Sequence, residues 1–324
     1  MRKLFLSSLA LFLLVIIFLL AYNFAFKNNP SEPKVTSETK EEVTSQEEGF
    51  GKEKNPVIAT TVSNPVNEAV LAATTGSGNS LYYYSEDDQS FKKATLEGKD
   101  KTVLMSNLPG KPLRIIWSNK RDAALVLIEG TPNPRWYTAT FPTKSLVPLK
   151  SEITKVTWGY PGDKIYYLFK NPSNKELSLN RSNADGSDWK EITKVGTKDL
   201  FLGTIPQSSR ISFWNKPNSL EETLFEAIDT DGNNRTKLLS GRFGGDYLWS
   251  PNGERVVVSA ALQKNGPLIL AVMNKNGGEL QSLNIPTLIS KVVWSNDSSK
   301  LFYALPGGLD EALLPNDYFE KNLA

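Results

Sequence analysis

The stretch Trp249–Val258, WSPNGERVVV, decides the fold of this 324-residue chain. It reads as the end of one strand, a Ser-Pro-Asn-Gly turn, and the start of a second strand rich in β-branched residues. Proline presets φ for a turn and glycine accepts the positive φ that closes it, so the chain reverses here and the flanking segments pair antiparallel. Working outward, the same tryptophan-turn unit recurs as LRIIWSNKRDAALVLI from Leu113, KVTWGYPGDKIYYLF from Lys155 and KVVWSNDSSKLFYAL from Lys291.

Trp117 and Trp158 lie 41 residues apart, Trp249 and Trp294 lie 45 apart, and the 91 between Trp158 and Trp249 make two units. FLGTIPQSSRISFWN from Phe201 supplies the missing unit, with the turn and second strand but without the tryptophan at the end of the first strand. Each unit continues through an alternating strand, a turn and a short strand, as in LILAVMNKNGGELQSL from Leu268, where Asn-Gly suits a tight hairpin. Four short strands in about 45 residues is the measure of a propeller blade. AVLAATT, SLYYYSE, SFKKATL and KTVL, between Ala69 and Leu104, fit a first blade without the tryptophan. Later blades begin near Leu113, Ile153, Asp199, Phe243 and Leu288. The expectation is an all-β propeller of about six four-stranded blades over residues 58–324, the last blade incomplete and the chain truncated at its C-terminus.

The cassette at Trp249–Val258, followed by D-x-D-G or N-x-N-G turns, resembles the repeat of TolB-type β-propellers, which are related to WD-repeat propellers. The resemblance covers roughly residues 65–305. It implies a protein that docks partners rather than one that performs chemistry. Two alternatives stand beside it. One is the propeller portion of a longer exported hydrolase of the prolyl-oligopeptidase kind; the other is a glycan-binding module of the cell envelope that uses Trp136 and Trp189.

Ahead of the repeats, Leu4 to Phe26 is a run of 23 uncharged, mainly apolar residues, which as a helix spans a hydrocarbon core of about 30 Å. Arg2 and Lys3 precede it and a Glu-rich stretch follows, so the positive-inside rule places the N-terminus in the cytoplasm and the propeller outside. Residues 1–27 are thus expected to form a cytoplasmic stub and a transmembrane signal-anchor. Residues 28–57, rich in Glu, Lys, Ser, Thr and Pro, are expected to form a flexible polar linker.

The chain contains neither cysteine nor histidine. That excludes disulfides, thiolate catalysis, Ser-His-Asp triads and His-ligated metals. A net charge of +2, with no basic stripe, argues against nucleic acid. No catalytic, cofactor or metal site is expected. Asp185 and Asp188, and Asp229, Asp231 and Asn233, look like fragments of calcium loops but read better as turns, and Glu86, Asp87 and Asp88 read as a solvated loop.

Trp117, Trp158, Trp249 and Trp294 stand at the same repeat position and are assigned to packing between blades. Binding is expected on the face opposite the repeated turns. There EGTPNPRW at Glu129–Trp136 and SGRFGGDY at Ser240–Tyr247 offer Arg135, Trp136, Arg242 and Phe243, residue types enriched in interface hot spots. The expected partners are a protein or peptide and, through the N-terminal helix, the membrane.

Overall fold

A computed structural model describes residues 65–196, 198–305 and 313–320. The expected transmembrane helix and linker lie outside the described residues, among which no helix is long and apolar enough to cross a membrane.

Alternation of apolar and polar residues, cut by turn residues every five to eight positions, produces twenty-one short strands. Blade 1 contains β1 (Val70–Gly76), β2 (Ser80–Ser85), β3 (Ser90–Thr95) and β4 (Thr102–Ser106). Blade 2 contains β5 (Pro112–Trp117), β6 (Ala123–Ile128), β7 (Arg135–Thr140) and β8 (Ser145–Pro148). Blade 3 contains β9 (Ile153–Trp158), β10 (Lys164–Lys170), β11 (Leu177–Asn183) and β12 (Lys190–Gly196). Each is an antiparallel meander in chain order.

The next two blades share one seven-stranded sheet: β13 (Leu200–Thr204), β14 (Arg210–Asn215), β15 (Glu222–Asp229), β16 (Thr236–Trp249), β17 (Arg255–Ala261), β18 (Ile269–Asn274) and β19 (Gln281–Ser282). The 14-residue β16 serves as the outer strand of blade 4 and the inner strand of blade 5. It can do both because Gly241 (φ +70°) and Gly244 (φ +61°) let the chain bend between the two sheets. Among the described residues, blade 6 contains β20 (Val292–Trp294) and β21 (Leu301–Tyr303). The starts expected near Leu113, Ile153 and Asp199 agree with β5, β9 and β13, whereas Phe243 lies within β16 and Leu288 ahead of β20.

Each repeat serine closes its own turn. The Ser250 hydroxyl accepts the Arg255 amide N–H at 3.0 Å, Ser118 accepts that of Ala123 at 3.2 Å, and Ser295 that of Lys300 at 2.9 Å. At the full Ser-Pro-Asn-Gly turn, Gly253 has φ +71°, and a Cβ there would stand 2.1 Å from the Pro206 carbonyl oxygen of the preceding blade. Only glycine allows that approach.

The blades pack through apolar faces. Between blades 1 and 2, Phe91, Trp117 and Phe141 cluster with ring centroids 5.2–5.5 Å apart. Between blades 4 and 5, Phe225 stacks on Tyr247 at 3.9 Å, with Trp214 and Trp249 around them. Such pairs add about 0.5–1.5 kcal/mol each beyond area burial.

The four repeat tryptophans are all buried, and their indole N–H groups tie each blade to the one before it. Trp117 donates to Ala72 O (2.7 Å), Trp158 to Ile116 O (2.9 Å) and Trp294 to Leu248 O (3.2 Å). Trp249 donates to the Ser212 hydroxyl (2.9 Å), which passes the bond on to Gly203 O (2.9 Å). In blade 4, Thr204 takes the tryptophan's place, and its hydroxyl donates to Trp158 O.

The segment ahead of β1 crosses the free face of blade 1. Val66 packs against Leu81, Tyr83 and Ala94, and the backbone of Pro65 lies against Gly98. Residues 313–320 lie apart from the β20–β21 pair. The short helix α1 (Asn316–Glu320) and the residues just before it sit on blades 4 and 5, where Asn316 accepts the Ser219 amide N–H (2.8 Å) and Leu314 and Tyr318 cover Ala261, Leu268 and Leu288.

Candidate functional site

Successive side chains of a strand point to opposite sides, so along each inner strand the repeat tryptophan and the residue two before it share one side. Those pairs, Trp117 with Ile115, Trp158 with Val156 and Trp249 with Tyr247, are buried between blades. The residues one and three before the tryptophan take the other side. There they line a central cavity of about 770 Å³: Ile116 and Arg114 from β5, Thr157 and Lys155 from β9, Leu248 and Asp246 from β16. Gly203 and Phe201, counted from Thr204, complete the series from β13. In blade 6 the matching residue, Lys291, lies instead over the Tyr318 ring at 5.7 Å.

The cavity therefore carries two cations and one carboxylate at a single register position. Arg114 opens to solvent through the cavity, and among the described residues neither Arg114 nor Lys155 forms an ion pair within 4.0 Å. Lys155 rests over the Phe201 ring at 4.8 Å. Burial lowers its ammonium pKa, and the nearby Arg114 charge lowers it further. Burial also lowers that of Arg114, with Asp246 acting against the shift.

Asp246 is pushed up to about 6 by burial, against hydrogen bonds from the Tyr247 amide (3.0 Å) and the Trp214 indole (3.0 Å) and the attraction of Arg114. It is thus largely ionised above neutral pH and largely protonated near pH 5. The aromatic walls at Tyr160, Phe201 and Trp214 make the cavity amphipathic.

The chemistry open to this cavity is recognition of negative charge beside an apolar surface. It contains no nucleophile paired with a base. Among the described residues no cluster of three or more acidic side chains could hold a metal ion.

The loop residues expected to bind a partner are placed differently. Trp136 is a correction: it is the second residue of β7, 3% exposed, and belongs to the core between blades 2 and 3, bordering the cavity from within. The alternation of β7 turns it inward, which a reading of its loop as exposed surface could not reveal. Arg135 is exposed, but its guanidinium donates to Leu149 O at 2.6 Å. Arg242 is half-buried, and Phe243 packs against the Ala261, Leu268 and Leu288 cluster. Arg135 belongs to blade 2 and the Arg242–Phe243 pair to the join of blades 4 and 5, so the four do not form one site.

The aspartates of the two calcium-like loops close turns. Asp185 accepts the Ser187 amide N–H (2.9 Å) and Asp231 that of Asn233 (2.9 Å). Asp87 accepts the Ala69 amide and Asp88 pairs with Lys92.

Arg114, Lys155 and Asp246 were not singled out from the sequence. The signal was present as the residue three before each repeat tryptophan, where a charge recurs on a strand otherwise apolar.

No family model matches the sequence, and no curated relative does. Among solved structures, oligogalacturonate lyase in complex with manganese is similar over 69% of this chain and 67% of that one, with 15% identity and a TM-score of 0.54. The oligogalacturonate lyase of Vibrio parahaemolyticus matches over 69% and 66%, with 13% identity and a TM-score of 0.50. TolB of Acinetobacter baumannii matches over 65% and 53%, with 16% identity and a TM-score of 0.47. The chain thus spans about two thirds of the lyases' length and about half of TolB's. What it has in common with the lyases at this identity is the β-propeller fold.

Proposed function

We propose that this chain is a membrane-tethered, extracytoplasmic β-propeller that binds an acidic segment of a protein or peptide in its central cavity and catalyses no reaction. The observation that carries the reading is the pair of cations, Arg114 and Lys155, at equivalent positions of adjacent inner strands, without ion-pair partners among the described residues and beside aromatic surface. Two like charges held close in a partly desolvated space cost free energy, and an anionic ligand relieves that cost. The tryptophan-turn cassette, with its resemblance to TolB-type propellers, supports docking over chemistry. The uncharged run Leu4 to Phe26 supports the tether.

The test is crosslinking and recovery of the full chain from its native membrane. A specific partner is expected, and its yield should fall at least tenfold in the Arg114→Glu, Lys155→Glu double variant and with rising salt. Recovery of no specific partner, or a partner held equally by the double variant, overturns the proposal.

A further inference from the structure

A second cleft, of about 310 Å³, lies away from the central cavity on the blade 3 face that looks toward blade 2. Its floor is a cross-strand row. Tyr167 of β10 stands opposite Asn180 of β11, and Asn180 opposite Glu191 of β12, with Ser178 beside them. One wall is Trp189, 57% exposed, and the far end carries Asn171, Asn174 and Glu176.

Two features need an explanation. Trp189 stands immediately ahead of β12 and keeps most of its indole exposed at the cleft wall. Asn180 is 3% exposed and lines the cleft, and its amide nitrogen donates to Ser178 O (3.0 Å) and the Ser178 hydroxyl (2.8 Å), an arrangement that fixes the orientation of its amide. An amide held in one orientation at the cleft floor presents a fixed hydrogen-bonding group to a ligand hydroxyl.

The charges in the cleft balance. Lys194 pairs with Glu176 at 2.9 Å, and Lys150 and Glu191 complete one more of each sign, with Lys150 over the Trp189 ring at 5.0 Å. A strongly charged ligand gains little here. The surface offers amides, carboxylates and ammonium groups for hydroxyls, together with one flat apolar ring.

We propose that this cleft is a binding site for a neutral oligosaccharide. A pyranose ring has an apolar C–H face that packs on an indole and an edge of hydroxyls, each both donor and acceptor, that can supply Asn180 Oδ1 and satisfy Glu191, Asn171 and Asn174. A peptide has no such double character at every unit. The site is independent of the central cavity and of what binds there.

The test is affinity electrophoresis of the full chain in detergent through gels containing soluble neutral polysaccharides (laminarin, glucomannan and hydroxyethylcellulose), with polygalacturonate as the acidic comparison. Retardation by at least one neutral polymer is expected. It should weaken at least tenfold in Trp189→Ala, persist in Trp189→Phe, and be unchanged in the Arg114→Glu, Lys155→Glu variant. Because Trp189 is exposed, its removal should leave thermal unfolding unchanged, so a loss of binding reports on the cleft. No retardation by any neutral polymer, equal retardation of Trp189→Ala, or retardation by polygalacturonate alone overturns the assignment. So does competition for the cleft by an unstructured peptide at lower concentration than any glycan.

Discussion

Blades 1 and 6 stand at the two ends of the repeat, and their outward faces are treated in opposite ways. On blade 1, Lys92 lies under the segment that precedes β1, its ammonium held by Glu68 at 2.7 Å and by Asp88; Glu68 also accepts from Lys101 (2.6 Å) and Tyr83 (3.0 Å). Lys92 and Glu68 are both nearly inaccessible. On blade 6, Val293 and Phe302 face each other across the β20–β21 pair, and they are 58% and 57% exposed. The inner seams need neither device, since a tryptophan or its stand-in Thr204 bonds each blade to the one before. A blade's packing face is therefore defined by what lies against it, and on blade 1 residues outside the repeat provide that cover.

The largest effect should come from breaking the cover on blade 1. Burial raises the Glu68 carboxyl pKa, but hydrogen bonds from Lys101 and Lys92, and then from Ser85 and Tyr83, outweigh it and hold the group far below its ordinary range. Its folded-state pKa is depressed, so its stabilising contribution is present above the unfolded value near 4.5 and is lost as pH falls below that. Glu68→Ala should cost about 3 kcal/mol at pH 7 by urea unfolding, because it strips the buried Lys92 of one of its two carboxylates. The difference from wild type should shrink steadily below pH 4.5.

Asp246, inside the ring, should behave in the opposite sense. Its folded pKa is raised, so the proton-linked stability is complete below the unfolded value of 3.8 and is lost as pH rises through about 6. Asp246→Asn, which keeps an acceptor for Trp214 and the Tyr247 amide, should be more stable than wild type by about 1–2 kcal/mol at pH 8 and equal to it below pH 4. An equal difference at both pH values would show that Asp246 does not titrate as described.

The smallest effect should be on blade 6. Phe302→Ser removes no buried contact and should change stability by less than about 0.5 kcal/mol. A loss of several kcal/mol would mean that this face is covered in solution, and the contrast with blade 1 would fall.

How much of this was legible in the sequence varies from residue to residue. Trp249 and its turn specify a strand, a reversal and a strand through local chemistry alone: Ser250 closes the turn, and Gly253 is the one residue that fits beneath Pro206. Repetition of that unit determines the blade, since a sheet with two apolar faces can bury them only between copies of itself. The absence of histidine and cysteine likewise settles, without coordinates, which catalytic designs the chain lacks.

Other features were decided only in three dimensions. Trp136 and Trp189 both follow polar loop residues, yet one is core and the other wall of a cleft, because exposure depends on which side of a strand meets a neighbouring blade. Arg114, Lys155 and Asp246 are scattered over 133 positions of sequence, from 114 to 246 inclusive, and line one cavity only because the fold brings the same register position of separate blades together. Local sequence determines the periodicity of each strand, whereas the arrangement of neighbouring blades about a shared cavity decides which of its two sides becomes a site.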